Sequence, residues 1–279
     1  MDRSRLLDTA GFNQLAKGRD GYFLYNVHDF YVGRSIETYG EFSRQEAQLL
    51  HQLCGPGGVV IEVGANIGSL TVGLAKHVGP RGQVLAFEPQ NLVFQALCAN
   101  VALNSLANVD CHWAALGAEA GMVTVPELDP EQVNNFAQLS LVGTQQGRRV
   151  PCYTLDDFAS LPRVDLLKVD VQGMEAEVLR GGRRLIETFK PFLYVENEAP
   201  ASSPELLRLI DGLGYRMYWH LPAMFSPDNY YAARENVFPG TVSLNMACIH
   251  RDRGSAIPGL AGAEAITDFS SHPLLQAGR

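Results

Sequence analysis

Residues 59–70 read VVIEVGANIGSL, an apolar run that leads directly into a glycine-rich turn. The run predicts a buried strand over 59–63, and Gly64 and Gly68 predict a tight turn before a helix over 67–78. A turn of this kind after a parallel strand is typical of nucleotide-binding α/β folds. Glu62, the one acid inside the strand, bears on which nucleotide such a turn binds.

The alternation of strand and helix patterns continues along the chain. Further strands are predicted at 83–88, 109–116, 164–170, 191–198, 215–220 and 241–250, and further helices at 92–103, 173–180 and 203–214, the last beginning at Ser203-Pro204. Repeated βαβ units predict a parallel sheet, and strands without polar alternation predict helices on both of its faces. The last two strands follow each other without a helix, so the sequence predicts an α/β fold with seven strands and a late antiparallel pair.

Other segments fall outside this alternation. The predicted organisation is a hairpin over 22–33 and a helix over 44–53 within an N-terminal appendage of 1–54, a core domain over 55–250 with an insertion at 117–150 and a long loop at 220–240, and a loosely packed tail over 251–279. Ser43 and Glu46 match the capping box that starts a helix. The long loop is expected to lie over the site, because loops of that length are often functional.

Composition narrows the function classes. The chain has 279 residues, of which 46% are hydrophobic and 19% charged, with a net charge of −8. The sequence has no basic patch that would favour a nucleic acid partner. No apolar run in it approaches the roughly 18 residues that a membrane span needs. The N-terminus has no apolar stretch typical of a signal peptide, and five scattered cysteines without a Cys-x-x-Cys pair indicate reduced thiols. These features favour a cytoplasmic protein.

The glycine turn was compared with two cofactor classes. A dinucleotide fingerprint is G-x-G-x-x-G, and the third glycine is missing after Gly68. Glu62 would also lie near the pyrophosphate, where two like charges about 4 Å apart cost about 1 kcal/mol in water and about 4 kcal/mol at an effective dielectric of 20. An NAD(P)-dependent oxidoreductase is therefore the weaker alternative.

A cationic cofactor reverses the sign of that interaction. S-adenosylmethionine carries an ammonium and a sulfonium, so Glu62 would attract its methionyl end. Gly64 would let the backbone approach the ligand, and Asn66 tolerates an unusual turn conformation. Glu88 follows the second strand in LAFEPQ, where a carboxylate can accept two hydrogen bonds from a ribose diol. Glu88 would do the same in a dinucleotide enzyme, so it does not separate the two classes.

An ordered set of motifs resembles one known family. VIEVGANIGSLT, LAFEPQ, CANVALN, DLLKVDVQGMEAEVLRGG and LYVENE, together with ETYGEFS at 37–43, are similar to the FkbM family of S-adenosylmethionine-dependent methyltransferases. The similarity covers most of the chain, from about Ile36 to Ile249. The resemblance implies a class I methyltransferase Rossmann-like fold with seven strands, the seventh antiparallel. It also implies methyl transfer to a hydroxyl of a sugar, glycan or polyketide-like acceptor.

The resemblance also implies a set of cofactor-binding positions. These are Tyr39, Glu41, Glu62, Gly64, Ala65, Asn66, Gly68, Ser69, Glu88, Pro89, Gln90, Asn104, Ala115, Leu116, Asp170 and Gln172. The sequence departs from the family at Gln172, where an acid is usual. If that acid were the general base, activity would be impaired, so Gln172 is interpreted as a hydrogen-bonding or cofactor-contact residue.

Acids at the carboxyl ends of strands are the candidate catalytic groups. Asp170 and Glu196 are expected at the ends of neighbouring strands, and His220 at the start of the long loop. An aliphatic hydroxyl must lose its proton during methyl transfer, so these residues, with Glu175, are candidate bases. A divalent metal such as Mg²⁺ on Asp170, Glu196 and Asn197 is possible but not favoured. The alternative for these acids is pairing with Lys168, Arg180 or backbone amides.

Several questions stay open at the level of sequence. Tyr230, Tyr231 and Phe238 of the long loop either contact an acceptor or anchor the loop. Gln172 alone supports a third hypothesis, a non-catalytic module that keeps the fold. The sequence does not decide the acceptor, oxygen against nitrogen as the methylated atom, metal dependence or oligomeric state.

Overall fold

Strands and helices alternate through most of the chain, whose computed structural model describes residues 11–136 and 146–276. The strands are β1 (Asn13–Lys17), β2 (Tyr22–Asn26), β3 (Val59–Val63), β4 (Gln83–Phe87), β5 (Val109–His112), β6 (Ala115–Leu116), β7 (Gly121–Val125), β8 (Arg148–Tyr153), β9 (Leu166–Val169), β10 (Phe192–Glu196), β11 (Tyr215–His220) and β12 (Asn245–His250). The α-helices are α1 (Val32–Tyr39), α2 (Arg44–Leu53), α3 (Thr71–Val78), α4 (Asn91–Leu103), α5 (Glu175–Arg180), α6 (Arg183–Phe189), α7 (Ser203–Gly212) and α8 (Pro273–Gln276).

The central sheet has seven strands in the order β11-β12-β10-β9-β3-β4-β5. β12 runs antiparallel to both of its neighbours, and the pairs from β10 to β5 are parallel. These are the seven strands predicted from sequence, so the predicted α/β fold with an antiparallel last strand is confirmed. The parallel order brings the carboxyl ends of β3, β4, β9 and β10 to one edge of the sheet.

Helices cover both faces of this sheet. All five residues of β3 are buried, and successive residues pack into different clusters. Ile61 packs with Leu167 and Leu193 on one face, whereas Val60 packs with Leu74 on the other. A strand buried on both faces reads as a continuous apolar run, which is why this stretch predicted the fold. Each fully buried aliphatic side chain of this kind stabilises the fold by roughly 1.5–3 kcal/mol.

The N-terminal segment differs from its prediction. β2 pairs with the preceding β1, so the hairpin spans 13–26 rather than 22–33, and α1 follows it. Asp29 starts this helix, because its carboxylate accepts the backbone N–H groups of Tyr31 at 3.1 Å and Gly33 at 3.0 Å. An acid at a helix start satisfies amides that lack an intrahelical partner. The hairpin packs on α4, where the Asn100 amide nitrogen donates to the Leu24 carbonyl at 3.0 Å.

The predicted third strand divides in two. β5 belongs to the central sheet, but β6 leaves it and pairs with β8 in a three-stranded sheet of order β6-β8-β7. β7 and β8 are antiparallel, as expected of a hairpin insertion. The centre of that predicted insertion, residues 137–145, lies outside the described residues.

The sequence predicts which segments form helices better than it predicts the residues that cap them. α2 has the predicted extent, but Ser43 has φ of 44° and makes no capping hydrogen bond, so the predicted capping box is wrong. α7 is flanked by Ser202, and Ser203 is its first residue rather than its cap. The hydroxyl of Ser203 instead accepts the amide of Asn197 at 2.9 Å. Side chains that sequence assigns to caps are here used by the surrounding core.

The segment after β12 contacts the core at several points. Ile257 is buried, and the Ile266 N–H donates to the Met217 carbonyl at 2.8 Å. His272 is also buried, and its Nε2 lies 2.9 Å from the Asn197 carbonyl oxygen. The division of the chain into appendage, domain and loose tail stays a prediction, although these contacts attach part of the tail to the sheet. Within residues 11–136 and 146–276, no helix has the length and apolarity needed to cross a membrane.

Candidate active site

The turn after β3 is held between two neighbouring strands. Gly64 has φ of 82°, and a Cβ there would lie 1.9 Å from the carbonyl oxygen of Asp170, so only glycine fits. The backbone N–H groups of Gly64 and Ala65 donate to the Phe87 carbonyl at 3.0 and 2.9 Å. Asn66 has φ of 52°, in the left-handed region that Asn tolerates. This turn delays the helix until residue 71, later than the predicted start at 67.

A cleft opens above this turn, with an empty volume of about 890 Å³ that includes its open mouth. Twelve predicted cofactor-binding residues line it: Glu62, Gly64, Ala65, Asn66, Ser69, Glu88, Pro89, Gln90, Ala115, Leu116, Asp170 and Gln172. The structure therefore brings together residues from three strand ends and from the start of the insertion.

Two predicted residues at the edges of the fold do not line this cleft. Asn104 follows the last turn of α4, where its side-chain oxygen accepts the Tyr22 N–H at 3.0 Å. Tyr39 ends α1, and its hydroxyl accepts the Val237 N–H at 2.8 Å. Both side chains fasten distant parts of the chain to each other.

Glu41 and Gly68 also lie outside the lining of the cleft. Glu41 is buried and paired with Arg19, which also donates to the Asp228 carbonyl at 2.5 Å. A Cβ on Gly68 would lie 2.8 Å from the Leu97 side chain, so this glycine allows α3 and α4 to pack closely. The structure thus gives these two residues structural contacts.

Glu88 presents a buried carboxylate to the cleft. One oxygen accepts the Asn66 N–H at 3.0 Å and the other accepts the Gln90 N–H at 2.8 Å. Burial raises the pKa of Glu88 to about 7, against the lowering effect of these amides. Each oxygen keeps a lone pair for a ligand, so the carboxylate can accept two further hydrogen bonds.

A buried cation lies beneath the cleft, at the middle of a group of acids. Lys168 is 2% exposed, and its Nζ lies 3.0 Å from Oδ2 of Asp170. Burial alone would lower the pKa of Lys168, but the carboxylates of Asp170, Glu46 and Glu62 raise it above its ordinary value. The ion pair between Lys168 and Asp170, one of the two roles considered from sequence, is present.

The acids around Lys168 differ in their hydrogen bonding. Glu62 is paired with Lys168 in the sheet register and accepts the Thr71 hydroxyl at 2.7 Å. Burial raises the pKa of Glu62, and Lys168 and Thr71 oppose that rise. Burial also raises the pKa of Glu46 on α2, to about 7. Lys168 therefore opposes the rise in pKa that burial causes at both Glu46 and Glu62.

A second cavity adjoins the first and has an empty volume of about 750 Å³. It is lined by Tyr31, Phe42, Glu46, Asn135, Asp170, Gln172, Glu196, Glu198, Met224, Thr241, Val242, Ser243 and Asn245. Phe42, Asp170 and Gln172 line both cavities, so the two spaces meet at these residues. A reactant held in one can face a reactant held in the other.

Gln172 connects the acids at this junction. Its amide nitrogen lies 3.0 and 2.8 Å from the two carboxylate oxygens of Glu196, and 3.5 Å from Oδ1 of Asp170. Burial and then the charge of Asp170 raise the pKa of Glu196 well above its ordinary value. Asp170 and Glu196 follow neighbouring strands, as predicted, and Gln172 supplies the hydrogen bonds inferred for it.

Glu175 holds the turn that carries Gln172. Its Oε1 accepts the backbone N–H groups of Val171 at 3.2 Å and Gly173 at 3.0 Å. Gln172 itself has φ of 54°, a conformation that costs a non-glycine residue free energy unless its surroundings enforce it. Glu175 lines neither cavity. Its two hydrogen bonds instead hold the turn in place.

His220 and Asn197 do not reach the junction. Nδ1 of His220 lies 2.8 Å from the Tyr194 hydroxyl, and burial lowers the pKa of His220 to about 4. The Asn197 amide donates to Ser203 and to the sulfur of Met246. No group of three or more His, Cys, Asp or Glu that could hold a metal ion occurs in the described part of the chain.

The aromatic residues of the long loop serve as anchors. Phe238 is buried and stacks on Tyr31, with ring centroids 5.9 Å apart. The Tyr231 hydroxyl donates to the Lys17 carbonyl at 2.9 Å, and Tyr230 packs beside Tyr231 with ring centroids 5.5 Å apart. None of Tyr230, Tyr231 and Phe238 lines either cavity. β12 begins at Asn245 rather than at the predicted residue 241, so the loop extends to residue 244, and Met224, Thr241, Val242 and Ser243 of this longer loop line the second cavity.

Comparison with known proteins identifies the family. The model of the methyltransferase FkbM domain matches residues 62–217, more than half of the chain and both acids at the ends of β3 and β4. The chain belongs to this family. Its central sheet is that of a class I methyltransferase, as the resemblance implied.

Two curated relatives and one solved structure illustrate the similarity. Methyltransferase 1 of Beauveria bassiana is 30% identical over 44% of this chain and 57% of its own length. The hexuronic acid methyltransferase AglP of Haloferax volcanii is 26% identical over 54% of this chain and 61% of its own length. The chain thus spans about three-fifths of these relatives. The crystal structure of methyltransferase FkbM from Methylobacillus flagellatus is 18% identical, with a TM-score of 0.44 over 70% of this chain and 44% of that one.

Sequence reasoning missed Glu46 as part of the site. The residue was assigned to a capping box, but it continues the buried stripe that Leu49, Leu50 and Leu53 form on α2. Spacings of three, four and seven residues place all four side chains on one helix face. An acid in an apolar stripe was the signal that could have found it.

Proposed function

We propose that the protein is an S-adenosylmethionine-dependent O-methyltransferase that acts on a hydroxyl of a sugar, glycan or polyketide-like small molecule. The observation that carries the proposal is the junction of the two cavities at Asp170 and Gln172. One cavity carries the family's cofactor motifs, and the other carries the acid Glu196. Their junction is where a methyl donor and an acceptor would have to meet.

The lining of the first cavity fits the cofactor. Glu88 keeps one lone pair on each oxygen for a ribose diol, after accepting the amides of Asn66 and Gln90. Glu62 and Asp170 add negative charge on the side where a methionyl ammonium would lie. When bound, S-adenosylmethionine supplies an electrophilic methyl group on a positively charged sulfur.

The chain's own residues would position the acceptor and remove its proton. The walls of the two cavities align the reactants, and such alignment supplies roughly 7–11 kcal/mol of a displacement barrier. Glu196 takes the hydroxyl proton as the new carbon–oxygen bond forms, and a placed base contributes about 10²–10⁴-fold. Gln172 orients Glu196 by donating to both of its oxygens.

The donor set at the junction does not suit a divalent metal. The Gln172 amide nitrogen lies within hydrogen-bonding distance of both Glu196 oxygens, where Mg²⁺ would need oxygen ligands. Asn197, the third ligand considered from sequence, turns toward Ser203. The proposed reaction therefore uses Glu196 as a base, without a metal step.

Titration calorimetry with S-adenosylhomocysteine tests the cofactor assignment. Wild-type protein and the exposed-surface control Glu119→Gln are expected to bind equally. Glu88→Gln is expected to bind at least about tenfold more weakly, because one hydrogen bond to a charged group is worth roughly 1.5–3 kcal/mol. No binding by folded wild-type protein at millimolar ligand would reject the proposal. Thermal stabilisation by NAD(P) instead would favour the oxidoreductase.

A further inference from the structure

The second cavity is lined by carboxylates, without a basic residue among the part of the chain that the structure describes. Glu46, Asp170, Glu196 and Glu198 all contribute to its wall, and none of the described lining residues is Lys, Arg or His. The ammonium of Lys168 lies beside this group but lines the other cavity. A negatively charged acceptor would have no cation to pair with, and it would approach several acids at low dielectric.

Glu46 has a buried carboxylate oxygen without a hydrogen-bond partner among the described residues. The side chain is 3% exposed; the Ser43 hydroxyl interacts with the carboxylate and lowers its pKa, but Oε1 makes no hydrogen bond of ordinary geometry within the described part of the chain. A buried polar atom left unpaired costs roughly 1–3 kcal/mol, and such an atom calls for an explanation such as a bound water, ion or ligand. Because Glu46 also lines the cavity, a ligand hydroxyl there would give Oε1 its missing donor.

The remaining lining suits a polyhydroxyl compound. Thr241, Ser243 and Asn245 add hydroxyl and amide groups along one side of the cavity. Tyr31 and Phe42 add aromatic rings, which pack well on the apolar face of a sugar ring. A lining that combines hydrogen-bonding groups with aromatic rings matches the two kinds of surface of a neutral sugar.

We propose that the acceptor is a neutral sugar glycoside rather than an acidic one, and that Oε1 of Glu46 accepts a hydrogen bond from one of its hydroxyls. The proposal rests on the proposed function and adds the charge class of its substrate. It sets this chain apart from a relative that methylates a hexuronic acid.

Matched pairs of sugars test the proposal. Methyl glucoside, galactoside and mannoside are each compared with the corresponding methyl uronide, using full-length protein saturated with S-adenosylhomocysteine. Dissociation constants are measured by ligand-detected nuclear magnetic resonance. In each pair that binds, the neutral sugar is expected to bind at least about tenfold more tightly, because the uronide adds a carboxylate to an acidic cavity.

Variants separate charge from packing. Glu46→Gln is expected to weaken binding of the neutral sugar about tenfold and to reduce the difference in affinity between the neutral sugar and the uronide. Glu198→Gln is also expected to reduce the difference in affinity between the neutral sugar and the uronide. It leaves the ion pair between Lys168 and Asp170 intact, so it tests the proposal even if Glu46→Gln fails to fold. Glu119→Gln, on the exposed surface, leaves both affinities unchanged.

Three results would overturn the proposal. The uronide could bind as tightly as the neutral sugar, the charge gap could persist in both cavity variants, or no pair could bind while S-adenosylhomocysteine binds normally. Failure to bind S-adenosylhomocysteine is a different result, because it rejects the proposed function and this proposal together.

Discussion

Replacing Lys168 by Met is expected to destabilise the protein strongly, although Met matches the length of the side chain. Nζ of Lys168 lies 3.0 Å from the Asp170 carboxylate, which corresponds to about 5–6 kcal/mol of attraction at an effective dielectric of 20. Breaking a buried ion pair typically costs about 3–5 kcal/mol, and although the Asp170 side chain is 32% exposed, Lys168 itself is buried. The side chains of Glu46 and Glu62 lose the same cation.

The expected loss converts into a melting temperature. An unfolding entropy of about 2.1 cal/mol/K per residue gives about 0.6 kcal/mol/K for a chain of this length. A loss of 3–5 kcal/mol therefore lowers Tm by about 5–9 °C, measurable by calorimetry or circular dichroism. Lys190→Met is the matched control, because Lys190 pairs with Asp252 at the surface, where both are exposed. Exposed pairs are worth about 1 kcal/mol or less, so its Tm should fall by no more than about 2 °C.

The pH dependence of the loss distinguishes charge from packing. Without Lys168, the folded-state pKa values of Glu46 and Glu62 rise further above their unfolded values. Groups with raised folded pKa values stabilise the fold at low pH and lose that contribution as pH rises through the folded pKa. The deficit of Lys168→Met should therefore be larger at pH 8 than at pH 5. An equal deficit at both pH values, or one no larger than that of the control, would refute the electrostatic account.

Three further predictions follow from the site. Affinity for S-adenosylhomocysteine should fall as pH drops below about 7, because Glu88 has a pKa of about 7 and must be ionised to accept two hydrogen bonds from a ribose diol. Calorimetry between pH 5.5 and 8.5 measures this dependence. The same dependence of affinity on pH in a Glu88→Gln variant would contradict it. Glu196→Gln should lower kcat about 10²–10⁴-fold while cofactor affinity stays within about twofold, so unchanged turnover would remove Glu196 as the base. Gly64→Ala should have a Tm well below that of Gly57→Ala. Both positions have positive φ, but only at Gly64 would the added Cβ lie 1.9 Å from a backbone atom, the Asp170 carbonyl oxygen. Equal melting temperatures would show that this contact relaxes.

The central sheet and the cofactor turn could be predicted from sequence for a local reason. A strand buried on both faces needs an uninterrupted apolar run, and a turn that passes within contact of Asp170 needs glycine at position 64. Both requirements act on adjacent residues, so they leave a short and readable pattern. The place of Glu88 in the lining of the cleft could be predicted in the same way, since it depends on a position directly after a strand.

The acceptor side could not be predicted to the same extent, because it is assembled from distant segments. Glu46 comes from α2, Glu196 from the end of β10, and Ser243 from the long loop. Only tertiary packing brings these residues to one cavity. The hydrogen bond from Gln172 to Glu196 also spans two strand ends, so the sequence showed an unusual residue without showing its partner.

The antiparallel strand β12 of the central sheet has a consequence for how such a protein can diversify. Because β12 runs against its neighbours, its first residue, Asn245, is paired with Glu196 at the last residue of β10. The loop that precedes β12 therefore delivers its final residues into the second cavity, the proposed acceptor site, while the glycine turn follows β3 at the middle of the sheet. New acceptor preferences can thus arise by exchange of one loop, with the half of the sheet that carries the cofactor motifs inherited unchanged.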